Sequence, residues 1–410
     1  MGAKGTNNIG GEMKIRVLKL GWEFPPNSWG GLGVACHGLV SALVKQDTQI
    51  DLVLPCNLKS EISNCKIVST NDNKFSLKNT HDNLYKNLLS KINHYTRACK
   101  KICLKKTFDV IHAHDWMTFQ AGVAVKKITG KPLFLHVHSV EFDRSLYKCR
   151  NKKTCKIEEF GFYNADKIFT VSKVTKDKII KYYKIPEHKI EIVHNGIAPD
   201  SEYVTEKDLD KKFAKKSRVY KVLFLGRLTF QKNPESFIKL ANKILKKNSN
   251  IEFIIAGDGD LKTKLIKQVL KLKIKDKIKF VGYLKGKQID QAYKDSDLYI
   301  MPSRNEPFGL TPLESMKNGT PVVITKVAGA CEVIKNCLKV DFKDINSVSK
   351  KIINLLESRD ELKKLSLDGL QEVKCLTWDE PARKCVKIYK EFLSGAQNAN
   401  IQRRDFKRKL

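Results

Sequence analysis

The sequence predicts an α/β protein of two Rossmann-like doubly wound domains facing across a cleft. Three observations predict it. Apolar, strand-like runs alternate with amphipathic helical runs, the alternation lapses once near the middle and restarts, and 410 residues exceed what one ordinary core organises. Apolar residues make up 41% of the chain and aromatics 9%, which excludes a disordered composition.

Residues 1–12 form a polar, Gly-rich lead expected to be disordered. KIRVLKLGWEF (14–24) then reads as a buried strand ending in a loop, and GGLGVACHGLVSALVKQ (30–46) as a helix opened by glycines. Short β-rich runs follow at IDLVLP, FDVIHAH, PLFLHVH, KIFTVS and IEIVHNG, with helical stretches between most of them. Strand and helix alternating at this spacing imply βαβ crossovers and a mainly parallel sheet. The first domain is therefore placed at 13–197.

The charged stretch APDSEYVTEKDLDKKFAKKS has no sustained apolar stripe, and 198–217 is read as a linker. A second doubly wound domain, 218–375, alternates VLFLGRL, ESFIKLANKIL, IEFIIAGDG, KTKLIKQVLKL, IKFVGYL, QIDQAYKDS, LYIMPS, TPLESMKNG and PVVITK, and turns helical from SVSKKIINLLES. A C-terminal helix over 376–395 and a basic tail over 396–410 complete the chain. Ligands of open parallel sheets bind at the carboxyl ends of strands, so candidate residues are sought there.

The net charge is +33, from 77 Lys and Arg against 44 Asp and Glu, and such a surface attracts phosphates, anionic lipid or nucleic acid. Much of the excess is lysine scattered along helical segments, where it solvates outer faces. No basic run is interleaved with aromatics, which disfavours a nucleic-acid partner. The tail residues Arg403, Arg404, Lys407, Arg408 and Lys409 offer a peripheral contact with an anionic membrane. No CxxC pair occurs among the 11 cysteines, and no secretory leader or bilayer-spanning apolar run is found. Free thiols in a reducing cytoplasm are expected, with a Cys149–Cys155 bridge as the alternative.

GRLTFQKNP follows the first strand of the second domain and puts Arg227 and Lys232 at a strand end, where two cations can hold a diphosphate. EPFGLTPLE sets Glu306 and Glu314 eight apart. Locally, Thr311-Pro312-Leu313-Glu314 reads as a capping box with Pro at the first helical position. Glu306 precedes that cap, at a strand end, where a carboxylate accepts hydrogen bonds from sugar hydroxyls. The amides of Phe308 to Thr311 are placed to receive a phosphate. GGLG supplies Gly30, Gly31 and Gly33 at a helix start. His112, His114 and Asp115, with His136 and His138, could suggest a metal site, but no ligand set of known spacing appears. The three DxD triplets (Asp208/Asp210, Asp258/Asp260, Asp295/Asp297) are equally poor metal candidates.

Together these residues resemble the retaining glycosyltransferases of the GT-B fold, specifically glycosyltransferase family 4 with its glycogen-synthase-like members. The resemblance runs from about residue 14 to 395 and rests on WEFPPNSWGGLG, DVIHAHDW, HVHSVEFDRS, VSKVTKDKI, VHNGI, GRLTFQKN, AGDG and above all EPFGLTPLE. It implies transfer of a hexose, glucose foremost, from a nucleoside diphosphate sugar (UDP-glucose or ADP-glucose) to a glycan acceptor, α-glucan included. Retention at the anomeric carbon is implied, with no obligatory metal or other cofactor. By the resemblance, Arg227 and Lys232 bind the diphosphate, Glu306 the sugar hydroxyls and Glu314 the ribose. Phe308, Gly309, Leu310 and Thr311 offer amides to sugar and phosphate. His138 sits near the anomeric centre, and Gly30, Gly31 and Gly33 form the loop beneath the diphosphate and acceptor.

Ser28 departs from the pattern, because starch and bacterial glycogen synthases carry Lys two residues before their Gly-Gly-Leu. Two alternatives stay open: a membrane-surface transferase with a lipid acceptor, and a nucleotide-sugar 2-epimerase of the same fold. The expected location is cytoplasmic, or peripheral at a membrane.

Overall fold

The computed structural model describes residues 14–26, 30–58, 62–70, 84–145, 151–198, 202–214 and 219–408, without side chains at 84–87 and 396–408. The lead at 1–12, Ser28 and the side chains of the basic tail lie outside the described residues.

Apolar, β-branched runs form the first seven strands, and amphipathic runs the helices between them. In chain order these are β1 (Ile15–Leu20), α1 (Gly31–Leu43), β2 (Thr48–Leu54), β3 (Cys65–Ser69), α2 (Leu84–Cys103), β4 (Val110–His114), α3 (Trp116–Thr129), β5 (Leu133–Val137), α4 (Glu141–Arg144), α5 (Lys152–Asn164), β6 (Lys167–Thr170), α6 (Lys173–Tyr183) and β7 (Ile190–Ile192). They make one sheet of order β3-β2-β1-β4-β5-β6-β7, with β1 parallel to both β2 and β4. Strands β4 and β5 are buried along their whole length, as parallel strands covered on both faces must be.

The chain continues through α7 (Glu206–Ala214), β8 (Tyr220–Leu225), α8 (Pro234–Leu245), β9 (Ile251–Ala256), α9 (Lys262–Lys271), β10 (Ile278–Gly282), α10 (Lys287–Lys294), β11 (Leu298–Met301), α11 (Thr311–Lys317), β12 (Val322–Thr325), β13 (Leu338–Val340), α12 (Ile345–Glu357), α13 (Arg359–Lys374) and α14 (Asp379–Arg408). The second sheet has order β10-β9-β8-β11-β12-β13, and its order reverses between β8 and β11. Two parallel-sheet Rossmann-like folds are thus present, as the sequence predicts.

The chain forms two compact units. One comprises Met1–Leu135, Tyr163–Lys167 and Ala382–Leu410, the other His136–Phe162 and Ile168–Pro381. In the first, Tyr389 of α14 packs its ring 4.9 Å from Phe134 and bonds its hydroxyl to His112 Nδ1 at 2.5 Å. In the second, Phe224, Phe237 and Phe253 centre a core between β8, β9 and α8.

The stretch 198–217, expected as a linker, carries α7. Only Leu209 of that helix is buried, packing with Val204 and Leu370, so no apolar stripe betrays it in the sequence. The short strands β3 and β13 were likewise not expected. Among the described residues nine cysteines are free thiols, and Cys155 is disulfide-bonded, in line with the alternative of a Cys149–Cys155 bridge; Cys149 lies outside the described residues. Among the described residues no helix is long and apolar enough to cross a membrane.

Candidate functional site

The carboxyl ends of β8, β9 and β11 meet at the point where the second sheet reverses its order, the position at which such sheets bind ligands. After β8 the chain turns at Gly226, and after β9 at Gly257. A Cβ at Gly257 would lie 1.9 Å from the Gly226 carbonyl oxygen, so two strand-end turns approach each other there because one lacks a side chain. Arg227 leaves this junction exposed, and its guanidinium meets no acceptor among the described residues.

The GRLTFQKN loop is stitched to the PSRNE loop after β11. Asn233 donates to the Pro302 carbonyl at 3.0 Å, the Gln231 side chain to the Asn305 carbonyl at 3.1 Å, and the Arg304 amide to the Gln231 carbonyl at 2.9 Å. This registry brings Lys232 Nζ to Glu306 Oε2 at 2.5 Å. Ser303 donates to the same oxygen at 3.0 Å. The Glu306 side chain is only 6% exposed, and its other oxygen, Oε1, meets no donor among the described residues. A nearly buried carboxylate thus keeps one oxygen satisfied and one available.

The chain next passes Gly309 at φ +94°. A Cβ there would fall 3.1 Å from Glu306 Cγ and 3.2 Å from Met301, so a larger residue would displace the carboxylate. Phe308 is buried, and its carbonyl accepts from the Ala330 amide. The amides of Gly309, Leu310 and Thr311 find no acceptor among the described residues.

The capping box expected over 311–314 does not form. Leu310, in helical conformation, precedes α11, and no side chain caps the helix. Thr311 is instead the first helical residue, and its hydroxyl accepts from Tyr299 at 2.8 Å. Pro312 is accordingly the second. Glu314 accepts from the Tyr293 hydroxyl at 3.3 Å. Burial pushes the Glu314 carboxyl above its ordinary range, against the opposing influence of Lys317 and Tyr293.

His138 follows β5 and stacks on His136, with ring centroids 4.7 Å apart. Gly30, Gly31 and Gly33 belong to the other compact unit. Gly30 is extended, α1 starts at Gly31, and Gly33 is buried.

Sequence reasoning missed a second set of residues that holds the same loop. Lys178 of α6 is buried against the Asp143 carboxylate and donates to Asn305 Oδ1 at 2.5 Å. The Asn305 amide nitrogen donates to the Asp143 carbonyl at 3.1 Å and to its carboxylate at 3.2 Å. Ser172 donates to the Pro307 carbonyl at 2.5 Å. Glu332 accepts from the Lys173 and Val174 amides at the start of α6 and pairs with His194 at 2.9 Å. Burial alone would raise the Glu332 carboxyl, but His194 and the two amides outweigh it and hold it below its ordinary range. Asp143 and Lys178 do lie in HVHSVEFDRS and VSKVTKDKI, but nothing in either run shows that they pair.

Comparison with known proteins fits this geometry. The family model described as "Glycosyltransferase Family 4" matches residues 29–201, and that described as "Glycosyl transferases group 1" matches 205–369. An uncharacterised glycosyltransferase of Methanocaldococcus jannaschii is 29% identical over 393 residues, covering 92% of this chain and 98% of that one. A glycogen synthase of Mycobacterium tuberculosis is 24% identical over 340 residues, covering 78% and 80% respectively. The catalytic domain of starch synthase IV from Arabidopsis thaliana, bound to ADP and acarbose, superposes with a TM-score of 0.75 at 15% identity, covering 93% of this chain and all of that one. Two matched halves on two parallel sheets define a glycosyltransferase of GT-B type. Within that class the chain is a glycosyltransferase family 4-like protein with glycogen- and starch-synthase-like relatives.

Proposed function

We propose that the protein is a retaining, metal-independent hexosyltransferase that moves a glucosyl unit from a nucleoside diphosphate sugar to a glycan acceptor. The observation that carries this reading is the Glu306 carboxylate, with Lys232 on one oxygen and the other oxygen available, beside a Gly309 turn whose amides meet no acceptor among the described residues. Carboxylate, cation and amides side by side suit a ligand that joins hydroxyls to phosphates, and a diphosphate–sugar bond is such a junction.

In this reading Glu306 Oε1 accepts from sugar hydroxyls. Lys232 and Arg227 neutralise the diphosphate, and the amides of Phe308, Gly309, Leu310 and Thr311 add to that field as charge grows on the leaving phosphate. Glu314 takes the ribose hydroxyls. His138 lies by the anomeric carbon, and Gly30, Gly31 and Gly33 are assigned to the donor on the resemblance alone. The departing phosphate accepts the proton of the incoming hydroxyl on the face it leaves, so no protein nucleophile is needed and configuration is retained. The protein contributes positioning and electrostatics. The ADP-bound starch synthase and the glycogen synthase relative support an activated glucose as donor.

Thermal unfolding with UDP-, ADP- and GDP-glucose tests this. A donor present at about 100 times its Kd stabilises the folded state by about 2.7 kcal/mol. One donor should raise the wild-type midpoint, and Lys232→Ala and Glu306→Gln should each abolish most of the rise. A wild-type midpoint indifferent to every nucleotide sugar would sink the reading.

A further inference from the structure

We propose that Lys178 is a positioning residue for the sugar end of the donor, acting through Asn305 on Glu306. The inference rests on the reading that Glu306 meets the donor sugar, and it adds residues that never touch the ligand. Asn305 immediately precedes Glu306, and every polar atom of its side chain is engaged. Its oxygen accepts from Lys178 Nζ at 2.5 Å, and its nitrogen donates to the Asp143 carbonyl and carboxylate at 3.1 and 3.2 Å. Lys178 and Asp143 are themselves buried, and Asp143 Oδ2 accepts from the Val140 amide at 2.8 Å. A cation locked against a buried carboxylate fixes the amide far better than one free to turn in water.

The main chain repeats the arrangement. Gln231 donates to the Asn305 carbonyl, Gly329 to that of Glu306 at 3.0 Å, and Ser172 to that of Pro307. Three consecutive carbonyls are thereby held, and the Asn305 side chain between them is fixed at its oxygen by Lys178 and at its nitrogen by Asp143. Loss of Lys178 should therefore disturb the direction of Glu306 while sparing groups that bind the nucleoside diphosphate.

That difference supplies the test. The variant carrying both Lys178→Met and Asp143→Asn removes cation and anion together, so no buried charge is stranded. Asn305→Ala breaks the relay at its middle and leaves the ion pair in place. Calorimetric titration compares UDP with UDP-glucose and ADP with ADP-glucose on each folded protein. Both variants should hold the free diphosphates within about twofold of wild type and bind the matching sugar nucleotide about tenfold more weakly, the scale of one well-placed hydrogen bond. Equal weakening toward diphosphate and sugar nucleotide would show a merely structural role and overturn the proposal. So would unchanged affinity for both. A wild-type protein that binds none of the four would overturn the donor reading itself, and the proposal with it.

Discussion

Lys19 and Lys178 are both buried, one in each compact unit, but their surroundings differ in kind. Lys19 projects from β1 into a core where its titratable neighbours are the thiols of Cys36, Cys385 and Cys65, and its Nζ comes 3.5 Å from His112 Nδ1. No carboxylate reaches it among the described residues. Burial accordingly pulls the amine from 10.5 to about 8, and raises the thiols of Cys36 and Cys385 to about 11 and 12. Lys178 instead meets Asp143 and Asn305, both all but inaccessible. A buried cation can survive by being able to shed its proton or by acquiring an anion. The first solution suits a core, and the second suits a loop that has to be held in one geometry.

The largest expected effect breaks the second solution. Asp143→Asn leaves the Lys178 ammonium buried without its anion, which costs about 3–5 kcal/mol. Urea unfolding followed by tryptophan fluorescence should show the loss. A cost below about 1 kcal/mol would mean that the pair does not hold in solution, and the contrast between the two lysines would vanish.

The next effect has the opposite sign. An amine taken from 10.5 to about 8 by burial carries a penalty of about 3 kcal/mol at pH 7. Lys19→Met removes the penalty and should stabilise the protein by up to that amount. The folded-state value lies below the unfolded one, so the penalty is fully present below about pH 8 and fades as pH rises towards 10.5. Wild-type stability should rise across that window relative to Lys19→Met. Parallel curves for the two proteins would show that Lys19 finds a partner in solution after all.

Neither lysine announces its role in the sequence, although the folds around them are largely legible there. The runs VLKL, VIHAH and LFLHV read as buried parallel strands because apolar composition alone decides that outcome. The EPFGLTPLE run reads locally as a capping box as well as a ligand site, and only its resemblance to glycosyltransferase family 4 favours the second. Illegible were features set by partners distant in sequence. Lys178 and Asn305 stand 127 residues apart, and Glu332 reaches an α6 amide 159 residues away. The α7 helix escaped because a single leucine anchors it. The capping box fails because Leu310 is already in helical conformation, which puts Thr311 inside α11, where its hydroxyl accepts from Tyr299 instead. Local pattern fixes elements, whereas the polar network depends on which elements the fold makes adjacent.

Glu314 sharpens the comparison most finely, as the acidic counterpart of Lys19 within the unit that pairs Lys178 with Asp143. Its hydrogen-bond donor is the neutral Tyr293 hydroxyl, and burial dominates its titration, raising the carboxyl above 4.5. A carboxyl raised on folding costs nothing while protonated and destabilises the folded state once it ionises. The penalty is absent below the unfolded value near pH 4.5, sets in as pH climbs through it, and is complete once the folded group has ionised. Glu314→Gln keeps the size and an acceptor for Tyr293 but cannot ionise. It should match wild type in stability near pH 4 and exceed it at neutral pH. Denaturant midpoints for both proteins between pH 4 and 8 measure the divergence. Should Glu314→Gln be the less stable at neutral pH, the ionised carboxylate is being held by Lys317 and Tyr293 more strongly than burial opposes it, and the second unit would then pair every charge it buries at this site.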